Sequence, residues 1–204
     1  MNSADLDYRT RTQSGCIPPH LVSRLLELGH AGEVEFQAGR GEWCCAREWA
    51  QLLDGRGRPE EALAVLAPYV ATGWWTAAEA AAELLEARGR VDEAIALARP
   101  HAEGGDRLAM DSFARLLARH GRGDEAFTLL RPHVENWLLA EALVDVAEGT
   151  GRHEEAAELL TARIEAVRRC SSESCGGHGV EPSNTVGLLA SIRERQGRVD
   201  EAIA

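Results

Sequence analysis

The chain has 204 residues, 27% of them charged, and a formal net charge of −11. Ala, Leu, Glu and Arg dominate and aromatics make up 5%, a mixture that favours helix and lacks the β-branched and aromatic residues of sheets. The acidic balance argues against a nucleic-acid surface, which needs clustered Lys and Arg, and against docking on an anionic membrane.

No apolar run approaches the roughly 18–20 residues that span a bilayer. The opening stretch, Met1 to Arg11, is polar and lacks the apolar core of a secretory signal. Five cysteines (Cys16, Cys44, Cys45, Cys170 and Cys175) follow no framework spacing, which points to reduced thiols and a cytoplasmic location. The vicinal pair Cys44–Cys45 reads as structural.

In chain order, residues 1–18 read as a flexible N-terminal tail and residues 19–204 as an array of helix pairs. The array divides at 19–42, a degenerate first pair with Gly29 in its turn, then 43–74, 75–106, 107–136, 137–184 and an incomplete last pair, 185–204. Self-similarity sets these boundaries. Gly57-Arg-Pro-Glu-Glu-Ala62 recurs as Gly89-Arg-Val-Asp-Glu-Ala94, Gly121-Arg-Gly-Asp-Glu-Ala126, Gly151-Arg-His-Glu-Glu-Ala156 and Gly197-Arg-Val-Asp-Glu-Ala202. The glycines are spaced by 32, 32, 30 and 46 residues. Pro68, Pro100 and Pro132 keep the 32-residue step, as do Trp43 and Trp75, with Trp137 in their column.

Each unit reads as two helices and a tight turn. From Trp75 to Arg88, the residues Ala78, Ala81, Ala82, Leu84 and Leu85 form a buried helical stripe. Gly89 then ends the helix, because a left-handed residue after the last turn is cheapest for glycine. Asp92 and Glu93 open the second helix at the positive end of its dipole, and Ala94, Ile95, Leu97 and Ala98 face inward. Small residues recur where helices approach closely, at Ala50, Ala82, Ala114 and Ala190 and again at Ala62, Ala94, Ala126, Ala156 and Ala202. The second helices should kink or end near the repeated prolines, which each remove a backbone hydrogen bond.

These columns resemble the tetratricopeptide repeat family over about Trp43 to Ala204. The chain departs from that pattern where Leu53, Leu85 and Leu117 replace a large aromatic in the first helix, and its tryptophan column is shifted to the helix start. The resemblance implies an all-α fold, a right-handed α-solenoid of stacked antiparallel helix pairs. It also implies a groove lined by the first helix of each pair, and a protein-interaction scaffold in place of an enzyme. With the turn glycine as ruler, the groove positions are Thr76, Glu79, Glu83 and Glu86; then Leu108, Asp111, Arg115 and Ala118, with Arg119 beside them; then Leu138, Glu141, Asp145 and Glu148. They read either as solvated faces, with Arg115 bridging neighbouring acids, or as a groove for a basic protein or peptide segment. Acids in these columns disfavour a carboxylate clamp.

No catalytic constellation, cofactor motif or metal pair stands out. The repeat of His101 and His133 in one column, with Tyr69 in the first copy, marks interface or surface residues. The Gly- and Ser-rich stretch around 168–184 reads as a long loop. Its Cys170, Cys175 and His178 could supply three zinc ligands, yet structural zinc takes four, so a plain loop is the better reading. The last residues, Asp200 to Ala204, begin a helix without finishing it. A fragment of a longer array is therefore expected, or completion by another subunit through self-association. A peptide-sensing regulatory arm and the substrate-binding arm of an enzyme, each with its effector domain outside this chain, are the rival roles.

Overall fold

The computed structural model describes residues 2–12, 16–172 and 182–198. Among them regular structure is helical only. In chain order the helices are α1 (Ser3–Thr12), α2 (Pro19–Glu27), α3 (Ala31–Gly39), α4 (Trp43–Gly55), α5 (Pro59–Val70), α6 (Trp75–Ala87) and α7 (Val91–Glu103). There follow α8 (Arg107–Arg119), α9 (Gly123–Leu130) with a 3-10 turn at Arg131–His133, α10 (Trp137–Thr150), α11 (His153–Ser172) and α12 (Pro182–Arg195).

The repeated glycine makes each hairpin. Gly89 has φ 73°. Its N–H donates to the Glu86 carbonyl at 2.9 Å, and that of Arg90 to the Leu85 carbonyl at 2.9 Å. This is a Schellman corner, which satisfies carbonyls that the end of α6 would leave bare. The same pair of bonds recurs at Gly29, Gly57, Gly121, Gly151 and Gly197. A second left-handed glycine column, Gly41, Gly73 and Gly105, turns the chain from one pair into the next. It too repeats every 32 residues.

The chain divides into two compact units, Met1–His101 and Ala102–Ala204. In the first, the leading helices α2, α4 and α6 adjoin in order, α3 packs on α4, and α5 packs on both α4 and α6. In the second, α8, α10 and α12 adjoin, α9 packs on α8 and α10, and α11 packs on α10 and α12. The small-residue columns lie at these contacts: Ala62, Ala94, Ala126 and Ala156 are wholly buried, as are Ala50 and Ala114. The prolines fall where expected. Pro68 and Pro100 lie near the ends of α5 and α7, and Pro132 lies in the 3-10 turn. No helix among the described residues is long and apolar enough to cross a membrane.

Two segments differ from the sequence reading. Within the expected tail, 1–18, α1 is helical and docked. Asn2 caps it by accepting from Asp5 N–H at 2.8 Å, and Leu6 enters the core cluster of Val22, Val34 and Trp43. The Glu42 carboxylate holds Arg9 at 2.7 Å and the Ile17 N–H at 3.2 Å. One apolar side chain and one ionic clasp anchor α1, so it lacks the stripe by which sequence reveals a helix. Within the expected loop, 168–184, α11 continues to Ser172 and α12 begins at Pro182. The reason is local: between Arg152 and Gly176 there is no glycine or proline to stop a helix. Cys175, His178 and the side chain of Cys170 lie outside the described residues, as do residues 199–204 of the unfinished pair.

Candidate protein-binding faces

In the N-terminal unit, α6 buries Ala77, Ala78, Ala81, Ala82 and Leu85. Its other side carries Thr76, Glu79 and Glu86 half-buried and Glu83 exposed. Glu83 has no hydrogen bond or ion pair among the described residues.

In the C-terminal unit, α8 and α10 start on side-chain caps. Asp106 accepts from the Leu108 and Ala109 N–H groups at 2.9 and 3.2 Å, and Asn136 from those of Leu138 and Leu139 at 3.1 and 3.3 Å. On α8, Leu108 and Arg119 are exposed, while Asp111, Arg115 and Ala118 are half-buried. On α10, Leu138 is half-buried, and Glu141, Asp145 and Glu148 form an exposed stripe. Arg115 joins the two helices: its Nε donates to Asp111 at 2.9 Å and its Nη1 to Asp145 at 2.8 Å. Arg195 of α12 pairs with Glu148. Glu141 alone in this stripe has no ionic partner among the described residues.

Beside these faces runs a feature that sequence reasoning missed. The arginine after each turn glycine bonds the second acid of its own motif: Arg58 to Glu61, Arg90 to Glu93, Arg122 to Glu125 and Arg152 to Glu155. It also reaches the first acid of the preceding motif, Arg90 to Glu60 at 2.8 Å, Arg152 to Asp124 at 3.4 Å and Arg198 to Glu154 at 2.6 Å. The motif Gly-Arg-x-acid-Glu-Ala is thus a corner plus an ionic stitch. The hydrogen bond from Arg90 holds the Glu93 carboxyl below its ordinary pKa, and that from Arg193 does so for Glu154. The signal was present, since all five copies keep the arginine.

The tryptophan column behaves unevenly. Trp43 is sealed against Tyr69 (ring centroids 5.2 Å apart) and Trp74 (4.9 Å), and Trp75 lies 5.5 Å from His101. Tyr69 is therefore a core residue, its hydroxyl donating to the Ala38 carbonyl at 3.3 Å, and His101 is half-buried over Trp75; of the two readings of this column, interface or surface, both residues take the packed one. Trp137 stands 55% exposed, and the position 26 residues on, aromatic in the other two copies, is Arg163. Trp137, Glu141, Asn184, Gly187 and Leu188 line a cleft of about 350 Å³ between α10 and α12. In the N-terminal unit a cleft of about 490 Å³ lies against α3 and α5, over Trp49, Pro68 and Tyr69, away from the expected groove positions.

The 32-residue period, the glycine corners and the alanine contacts agree between sequence and structure. The helix pairs are tetratricopeptide-like. Among solved structures, similar chains include a Podosopora anserina protein described as a kinesin light chain with nearly identical TPR-like repeats, and a single-residue variant of it. Each is 19% identical over 77% of this chain, covers 88% and 87% of its own length respectively, and has a TM-score of 0.47. Likeness at this level carries no inference about activity or partner. No protein-family model and no curated protein matches the chain.

Proposed function

We propose that this chain is a protein-interaction scaffold without catalytic function of its own. It holds basic protein or peptide segments on the exposed faces of its leading helices, within each unit separately: on α6 in the first and on α8 with α10 in the second. The observation that carries this reading is the pair of uncompensated acids on those faces. Glu83 and Glu141 are exposed and have no ionic partner among the described residues, whereas the corner acids Glu60, Glu93, Asp124 and Glu154 are consumed by arginines. Self-neutralised acids hold the repeats together, and unpaired ones remain to attract a cation. Extended or helical segments suit such a face because side chains at regular spacing meet helices at regular spacing.

Random peptide display against the immobilised full chain tests the reading. Enriched peptides should be rich in Lys and Arg, and a Glu83→Lys/Glu141→Lys chain with an unchanged circular dichroism spectrum should lose them. Enrichment of neutral or acidic peptides, or no enrichment, overturns it.

A further inference from the structure

We infer that the cleft between α10 and α12 is an arginine-binding subsite, with a single guanidinium side chain of a protein partner as its occupant. The inference deepens the proposed function and rests on that reading for the source of the arginine. Four features of the cleft combine.

The first is Trp137. The other four tryptophans are buried, and this one presents more than half its surface. It lines a cleft and does not merely protrude into solvent. Of all side chains an indole face attracts a cation best.

The second is Glu141, one helical turn along the same face of α10. The neighbouring acids of the stripe are taken, Asp145 by Arg115 and Glu148 by Arg195. Among the described residues, the charge left without a partner in the stripe therefore lies next to the indole.

The third is Gly187, in the interior of α12. Glycine there weakens a helix, yet a Cβ added to it would meet nothing within 4 Å. No close packing or backbone twist requires glycine at this place, and its absent side chain keeps the cleft open. In the preceding repeats the same column holds Glu141, Asp111 and Glu79, so the notch belongs to this cleft alone among those copies.

The fourth is the opposite wall. Leu188 offers apolar surface to the methylene stem of a long side chain, and Asn184, exposed beside it, offers an amide oxygen to an N–H donor.

Arginine fits this set better than lysine. Its guanidinium is planar, stacks on an indole, and directs several N–H donors outward in a fixed fork, so it can stack on Trp137 while donating to Glu141. An ammonium satisfies the carboxylate but gains less from the stack. A purely apolar occupant would leave the Glu141 charge uncompensated at a closing interface.

The test is an NMR titration of the full chain with N-acetylarginine amide, following the indole N–H resonance of Trp137, identified by its loss in Trp137→Leu. Expected is a saturable shift, weakened about tenfold with N-acetylcitrulline amide, which has the same shape but no charge, and likewise with Glu141→Gln. Gly187→Leu, which fills the notch from the other wall, should abolish it while the remaining indole resonances stay in place. No saturable shift, an equal response to citrulline, or an unchanged response in Glu141→Gln overturns the subsite. The two readings fail separately. Basic peptides enriched by display without an arginine response keep the face and remove the subsite. An arginine response without any peptide enrichment keeps the cleft chemistry and removes the scaffold reading.

Discussion

Arg90 joins two corners of the array: its Nη1 lies 2.8 Å from Glu60 Oε1, thirty residues earlier, while its Nε holds Glu93 at 2.7 Å. The helix-start motif thereby couples neighbours as well as opening a helix. Repeat arrays owe their cooperativity to such nearest-neighbour terms.

Because these pairs are solvent-exposed, each contributes modestly and is screened by salt. Arg90→Ala should lower the thermal midpoint slightly in dilute buffer, and the deficit should shrink at about 1 M salt. Arg152→Ala should cost more, about 1–2 kcal/mol, because its guanidinium also lies 3.9 Å over the buried Phe127 ring. Urea unfolding of both variants at two salt concentrations checks the ranking, and equal, salt-independent losses would contradict it.

Gly123 and Thr150 form a second dependent pair. A Cβ at Gly123 would stand 2.3 Å from the Thr150 methyl, and Thr150 is held by its hydroxyl donating to the Val146 carbonyl at 2.9 Å. Gly123→Ala should destabilise by about 1–3 kcal/mol through overpacking. Adding Thr150→Ala should recover most of that loss, as a double-mutant cycle in denaturant will show.

Gly89→Ala meets no steric neighbour and tests the backbone alone. At φ 73° it should cost about 1–2 kcal/mol, and the loss should come without any change in helix content at low temperature.

The pH dependence follows from shifted groups at both ends of the scale. The Arg58 and Arg90 hydrogen bonds hold Glu61 and Glu93 below the ordinary 4.5. In that window the unfolded chain binds more protons than the folded one, so stability rises with pH there and is lost as pH falls from 4.5 through the depressed values. Arg58→Ala with Arg90→Ala should flatten that acid limb. At the alkaline end, burial pushes the Cys45 thiol from 9.0 to about 11. The unfolded chain then loses its proton first, so stability present below pH 9.0 is lost as pH rises towards 11. Cys45→Ala should reduce that alkaline slope in denaturation midpoints.

Much of the fold was legible because its determinants are local and repeated. A left-handed corner needs glycine, and a close helix contact needs alanine, so Gly57, Gly89, Gly121 and Gly151 and their alanines announce the hairpins. The docking of α1 was not legible, since Leu6 and the Arg9–Glu42 clasp join residues far apart in sequence with no periodic signal. The exposure of Trp137 was also hidden. It depends on Arg163 standing where Tyr69 and His101 cover the earlier tryptophans, a comparison between columns on different helices. Gly41, Gly73 and Gly105 carried a readable 32-residue step that marks the turns between pairs. The acids of α10 that the turn glycine marks, Glu141, Asp145 and Glu148, are exposed, but which of them are neutralised depends on Arg115 and Arg195 across helices.

The binding face itself can be mapped most directly by methyl and indole NMR of the full chain with a basic peptide selected on it. The resonances of Leu108, Trp137 and Leu138 and the amides flanking Glu141 should move together as the peptide saturates, and the amides flanking Glu83 should respond within their own unit. Movement confined to the second helices α5, α7, α9 and α11, with those resonances still, would contradict the placement of the partner on the leading helices.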